Sequence, residues 1–165
     1  MLKHLFLIVI VVFLSACSGS MTRIPESDKI ISVRTELAGQ TQRQILAATR
    51  LWMEENFTAQ ADPITLEDWD GGRIVGHGQI DYPCSWIVCL SKGDWKVDFS
   101  MWVEAQDGLL LTTFRNIQLS SPPSGAAAGM NAPLWSQHDM DAIRPKLLEM
   151  NGDFVNELMA NKGKP

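Results

Sequence analysis

The chain has 165 residues, a formal net charge of −5 and 45% hydrophobic residues. That length suits one domain with a real core and would crowd two. Its 14 Lys and Arg are scattered among 19 Asp and Glu, which argues against nucleic acid, whose binding needs clustered cations on phosphate, and against docking on anionic lipid through a basic surface.

Lys3 precedes an apolar run from Leu5 to Leu14, and Ser15 and Ala16 then lead into Cys17. This is the layout of a secretory signal peptide. The run is too short to span a bilayer, since a transmembrane helix needs roughly 20 apolar residues and a signal core about 7 to 15. Leu14-Ser15-Ala16-Cys17 also resembles the lipobox of bacterial lipoproteins, whose cysteine becomes the new N-terminus and carries a diacylglycerol thioether and an N-acyl chain such as palmitate. The resemblance implies a signal peptide at residues 1–16, lipidation at Cys17, and a lipid-anchored place in the cell envelope. Ser18 after the cysteine resembles the default for sorting to the outer membrane, facing the periplasm.

With Cys17 lipidated, the remaining cysteines are a pair, Cys84 and Cys89. In an oxidising compartment a close pair reads as a disulfide. A metal pair would need a second cysteine or histidine nearby to complete a tetrahedral set, and the sequence offers none. No cofactor is implied.

Residues 17–28 are small and polar and read as a lipidated terminus and tether, with a single domain over residues 29–165. Ile30, Ile31, Val33 and Leu37 predict a first strand closed by Gly39. Thr41 and Gln44 have capping-box spacing, and no Pro or Gly interrupts residues 42–57, so the spacing predicts a helix with Ile45, Leu46, Trp52, Met53 and Phe57 inward and Arg50 and Glu54 outward. Residues 64–69 and 73–81 alternate around Asp70-Gly71-Gly72 as a hairpin. Gly76 and Gly78 share a face there, which suggests curvature, a bulge or close packing against the backbone.

Tyr82 to Gly93 reads as a loop or hairpin extension holding the cysteine pair. Trp86 within it either covers an open end of the core or, if exposed, forms part of a partner surface. Trp95, Val97, Phe99, Met101 and Val103 alternate with polar residues as the most regular strand, with Trp102 a large aromatic on the wetter side. Asp107-Gly108 turns the chain into another strand through Leu119. Residues 120–138, rich in Pro, Gly and Ala, read as a long mobile loop. Arg144-Pro145 then suggests the start of a last helix, which Asn151-Gly152 could bend.

The prediction is an α+β fold, β-α-β-β-β-β-α, with a single antiparallel curved sheet of about five strands and two helices on one face. The helix ending Leu51-Trp52-Met53-Glu54-Glu55-Asn56-Phe57, the strand Ile64 to Trp69, the run Gly72-Arg73-Ile74-Val75-Gly76-His77-Gly78 and the alternating strand with Asp107-Gly108 together resemble a bacterial lipoprotein domain family with a TBP-like fold. The resemblance covers residues 30–119, and more loosely the last helix. It implies a topology and brings no activity, cofactor or catalytic residue with it; a TBP-like topology does not imply DNA binding.

Catalytic machinery is not evident. The chain after Cys17 has two histidines, His77 and His138, and no serine in nucleophile-elbow spacing. Asp68, Asp70, Asp81, Asp94 and Asp98 fit turns and the solvated side of strands. His77 with Asp81 would be only two of the ligands a metal needs. The sequence therefore favours a non-enzymatic binding or scaffold module held in the envelope, with a protein, peptide or small apolar ligand as partner and Trp86 and Trp102 as its candidate surface. The alternative is a small periplasmic hydrolase using scattered carboxylates or His77. His77 converging with two or more acids in one deep cleft would favour the enzyme; an apolar pocket beside Trp86 and Trp102 would favour the binder.

Overall fold

A computed structural model describes residues 24–123, 128–134 and 136–160. The signal segment, Cys17, most of the tether and part of the Pro/Gly/Ala-rich stretch lie outside the described residues. After a short 3-10 turn, Glu26–Lys29, the elements are β1 (Ile31–Glu36), α1 (Gln42–Asn56), β2 (Ile64–Asp68), β3 (Arg73–Asp81), α2 (Trp86–Lys92), β4 (Lys96–Gln106), β5 (Leu109–Ser121), β6 (Met130–Pro133) and α3 (Gln137–Ala160).

The strands form one curved antiparallel sheet in the order β1-β5-β4-β3-β2, with β6 paired to the end of β5. The turns work as the sequence suggests: Gly72 and Gly108 take positive φ of 71° and 74°, which a side chain disfavours. α1 starts with the full capping box, Thr41 and Gln44 each satisfying the other's backbone N–H. Its apolar side and that of α3 lie on one face of the sheet, where Trp52 meets Phe154 at 4.9 Å between ring centroids. Rings continue through Phe57, Phe99 and Phe114 at 5.4 to 5.7 Å steps, edge-on as aromatic quadrupoles prefer. Gly76 and Gly78 are the close approach their spacing suggests. A Cβ on Gly76 would stand 2.7 Å from Met53 Sδ, and one on Gly78 would stand 2.8 Å from Phe57 Cε1.

Four expectations are corrected. The cysteine segment is not a plain loop: Trp86–Lys92 is a helix, so there are three helices and not two. Pro83 and Gly93 bound a run that contains no breaker, and its apolar residues suit a short helix as well as an extension. The Pro/Gly/Ala-rich stretch is not all loop, because Met130–Pro133 adds a sixth strand against Gln118–Ser121; its proline ends an edge strand, where a missing N–H costs little. α3 begins at Gln137, not at Arg144, and Pro145 lies inside it. A second capping motif starts the helix earlier, with the Ser136 hydroxyl accepting from Asp139 N and donating to its carboxylate. Finally the fold begins before residue 29, since Ile24 is buried in the core.

Candidate functional site on the open face of the sheet

Alternation along β4 divides the sheet. Val97, Phe99, Met101, Val103 and Ala105 face the helices and are buried. Lys96, Asp98, Ser100, Trp102, Glu104 and Gln106 point to the opposite face, which neither α1 nor α3 covers. Register then fixes who meets whom there: Trp102 stands between Val75 of β3 and Thr113 of β5, and Ser100 between His77 and Arg115.

The pairing of β4 with β5 slips by one residue between Asp98 and Ser100. Asn116, in the inserted position, takes a φ of 55°, a left-handed conformation that asparagine tolerates better than most residues. The bulge lets two consecutive residues reach the open face. Arg115 lays its guanidinium 4.0 Å from the centroid of the Trp102 ring, and the Asn116 amide donates to Ser100 Oγ at 3.2 Å. The same hydroxyl is 3.1 Å from His77 Nδ1. Gln79 and Ser120 donate to Asp98, at 2.7 and 2.6 Å. The centre of the face is thus a cation on an aromatic ring beside a network of polar side chains.

Two donors in this cluster are buried without a protein acceptor, the Trp102 indole N–H and Arg115 Nε–H. Buried donors are nearly always paired.

His77 is held by Ser100, and Ser100 is only 2% exposed, so this serine is not presented as a nucleophile. No group of three or more His, Cys, Asp and Glu side chains is arranged to hold a metal among the described residues. The acids sit in turns and surface pairs: Asp68 caps the turn through Gly71 N and pairs with Arg73, and Asp81 pairs with Lys96. Those bonds, first from the Gly71 amide and then from Arg73, hold the Asp68 carboxyl below its usual range.

A cleft of about 440 Å³ lies elsewhere, lined by Arg50, Glu54, Phe57, Pro63, Ile64 and Glu67 among others. It is charged, with Arg50 bridging Glu54 and Glu67 at 2.8 and 3.0 Å. It contains neither His77 nor either candidate tryptophan, so it matches neither outcome by which the sequence would have separated enzyme from binder.

Trp86, which the sequence left as either a cover for the core or an exposed residue, does not cover the core. It is 90% exposed at the start of α2, and Leu90, one turn on, is 89% exposed. The helix is fastened from behind. Cys84 and Cys89 are disulfide-bonded with Cα atoms 5.1 Å apart. Lys92 Nζ donates to Asp139 Oδ1 at 2.6 Å, the Tyr82 hydroxyl donates to the same oxygen at 2.5 Å, and Ser136 Oγ donates to Oδ2 at 2.7 Å. Burial opposes ionisation of Asp139, but these three donors outweigh it and hold the carboxyl below its usual range. Burial, and then the bond to Asp139, push the Tyr82 hydroxyl up. Trp102 lies six residues into β4 from Lys96, roughly 20 Å along the strand from its start. The Asp139 cluster escaped the sequence reading, although the Ser136-to-Asp139 spacing was there to be read. The Arg115–Trp102 contact follows from the register that the Asp107-Gly108 turn sets, unbroken as far as the pairing of Ser100 with Arg115, whereas the bulge that brings Asn116 to Ser100 is announced by no sequence pattern.

Two solved structures share this architecture. A DUF4468 family protein from Bacteroides ovatus ATCC 8483 is 18% identical, with a TM-score of 0.57 over 89% of this chain and 93% of that one. A TBP-like protein from Parabacteroides distasonis ATCC 8503 is 10% identical, with a TM-score of 0.61 over 82% of this chain and 96% of that one. At such identities the likeness shows the fold alone. No curated protein matches the chain. The model of the family described as "domain of unknown function (DUF4468) with TBP-like fold" matches residues 32–120, from β1 to the end of β5, and the chain belongs to that family.

Proposed function

We propose that this chain is a lipid-anchored envelope protein of binding or scaffold type, held at the outer membrane through Cys17 and presenting the open face of its sheet to a protein or peptide partner. The observation that carries the reading is the Arg115–Trp102 stack at the centre of that face, 4.0 Å from cation to ring centroid. Such a cluster suits a partner that lays a flat apolar or aromatic group against it. Aromatic and Arg residues with desolvated surroundings are also the usual energetic centres of interfaces. The lipobox-like Leu14-Ser15-Ala16-Cys17 supplies the address, and no helix of the described residues is long and apolar enough to cross a membrane. The net negative charge speaks against nucleic acid as the partner.

The hydrolase alternative has one observation in its favour, the contact of His77 with Ser100. Against it stand the burial of that serine and the absence of any carboxylate among the hydrogen-bond partners seen for His77.

In vivo crosslinking of the lipidated protein, followed by its recovery from membranes, tests the proposal. One dominant envelope partner is expected, and Trp102→Ala or Arg115→Ala should remove it while the protein stays folded and membrane-bound. Undiminished recovery from both variants would overturn the assignment of this face.

A further inference from the structure

We infer that α2 is a membrane-contact element: Trp86 and Leu90 insert side by side into the interface of the bilayer that holds the lipid anchor. The inference rests on the anchored reading above. Its observations are separate from those on the sheet face.

A tryptophan is on average one of the more buried residues of a folded protein. Trp86 is 90% exposed and Leu90 89%, and four residues apart on a helix they lie on the same side. The opposite side is fixed to the domain. Val88 and Cys84 pack against the core, the disulfide closes the N-terminal turn, and Lys92 is bonded to Asp139 of α3. A seven-residue helix has little stability of its own, so these fastenings keep an apolar pair turned outward.

Where the chain joins the fold says what covers that pair. Ile24 is buried, only seven residues after Cys17, so the anchored cysteine stands within about 25 Å of it even if the chain between is fully extended. The turn that follows Ile24 is bonded to α3, with Arg144 donating to Asp28 O at 3.0 Å. Asp139, which holds α2, lies five residues before Arg144, about 8 Å along the same helix. The anchored end and the exposed pair therefore share one end of the molecule. A short tether presses that end against lipid, where an indole prefers the headgroup level and a leucine the acyl boundary. α2 has one basic residue, Lys92, already paired, and no acid, so the contact is apolar and should not require anionic lipid.

The test uses the chain from Cys17 to its end, which retains every described residue. With Cys84 and Cys89 bonded, Cys17 is the one thiol free to couple to a maleimide phospholipid in phosphatidylcholine vesicles. Brominated acyl chains in those vesicles should quench tryptophan fluorescence. Trp86→Phe should lose most of that quenching and Leu90→Ser part of it, with unfolding curves unchanged. Replacing some phosphatidylcholine by phosphatidylglycerol should make no difference. Equal quenching of wild type and Trp86→Phe would overturn the inference. So would a dimer of the uncoupled chain that Trp86→Phe dissolves, because a second copy would then be the occupant. The anchor is checked independently by the mass of the protein extracted from its own membranes. An acylated Cys17 with no Trp86-dependent quenching removes only the inference. An unmodified Cys17 removes the anchor, while the vesicle measurement still decides whether α2 enters lipid.

Discussion

The guanidinium of Arg115 lies 4.0 Å from the centre of the Trp102 ring, across two strands whose register is shifted by a bulge beside that contact. The pair joins the one large aromatic on the polar side of β4 to a cation on β5 whose register is unbroken back to the Asp107-Gly108 turn. A contact of this kind is worth about 0.5 to 2 kcal/mol depending on how dry it is. Urea unfolding of Trp102→Ala, Arg115→Ala and the double variant should return a coupling in that range. Arg115→Lys should behave like the alanine variant, because an ammonium does not stack as a planar guanidinium does. A coupling near zero would mean the two side chains are only neighbours.

Asp139 ties α2 to α3 through Lys92, Tyr82 and Ser136. Asp139→Asn removes the charge that three donors satisfy, and should cost about 3 kcal/mol, as for a broken, largely buried pair. The pH dependence has a definite sign. The carboxyl is held below its usual value in the fold, so its stabilisation is complete above about pH 4, where an unfolded aspartate ionises, and is lost as pH falls through the lower folded value. Acid unfolding of the wild type should steepen below about pH 4, and Asp139→Asn should flatten that limb.

Reducing Cys84–Cys89 should loosen α2 without melting the sheet. Closing so small a loop contributes about 2 kcal/mol by the chain-entropy estimate, against a core built on α1, α3 and the strands. Hydrogen exchange should quicken over Trp86–Lys92 after reduction, while the amides of β4 and β5 keep their protection. Loss of protection throughout the sheet would show that the disulfide holds the whole fold.

Gly78→Ala should destabilise the domain by about 1 to 3 kcal/mol, since the new methyl group overpacks a filled core. It would meet Phe57 and Phe99 from within β3. Gly152→Ala should act in the other direction, by up to about 1 kcal/mol, because a Cβ there meets nothing within 4 Å. Thermal unfolding of the two variants beside the wild type checks both signs.

Replacing Cys17 by Ser should leave the protein soluble or unprocessed. Each acyl methylene contributes about 0.8 kcal/mol to membrane binding and a single chain is only a marginal anchor, so a three-chain lipid would hold the protein essentially permanently. A processed Cys17→Ser form that still fractionates with membranes would refute the lipidation.

The sequence by itself determined what is local. Thr41 and Gln44 announce α1, the glycines at 72 and 108 announce their turns, and period-two alternation names the buried side of β4, because caps, turns and strand faces depend on residues a few positions apart. The spacing of Gly76 and Gly78 left curvature, a bulge and close packing open, and the approach of Met53 and Phe57 chose close packing. The tertiary structure alone decided whatever depends on distant partners. Met130–Pro133 becomes a strand only because the end of β5 offers an unpaired edge. Trp86–Lys92 is held as an outward-facing helix by a disulfide and by an aspartate 47 residues beyond Lys92. Pro145 is tolerated inside α3 because the Ser136 cap nine residues upstream and a buried face sustain the helix around it. Asn116 reaches Ser100 because one extra residue in β5 shifts the register beyond Arg115, a choice made by the pairing of two strands and written in neither of them.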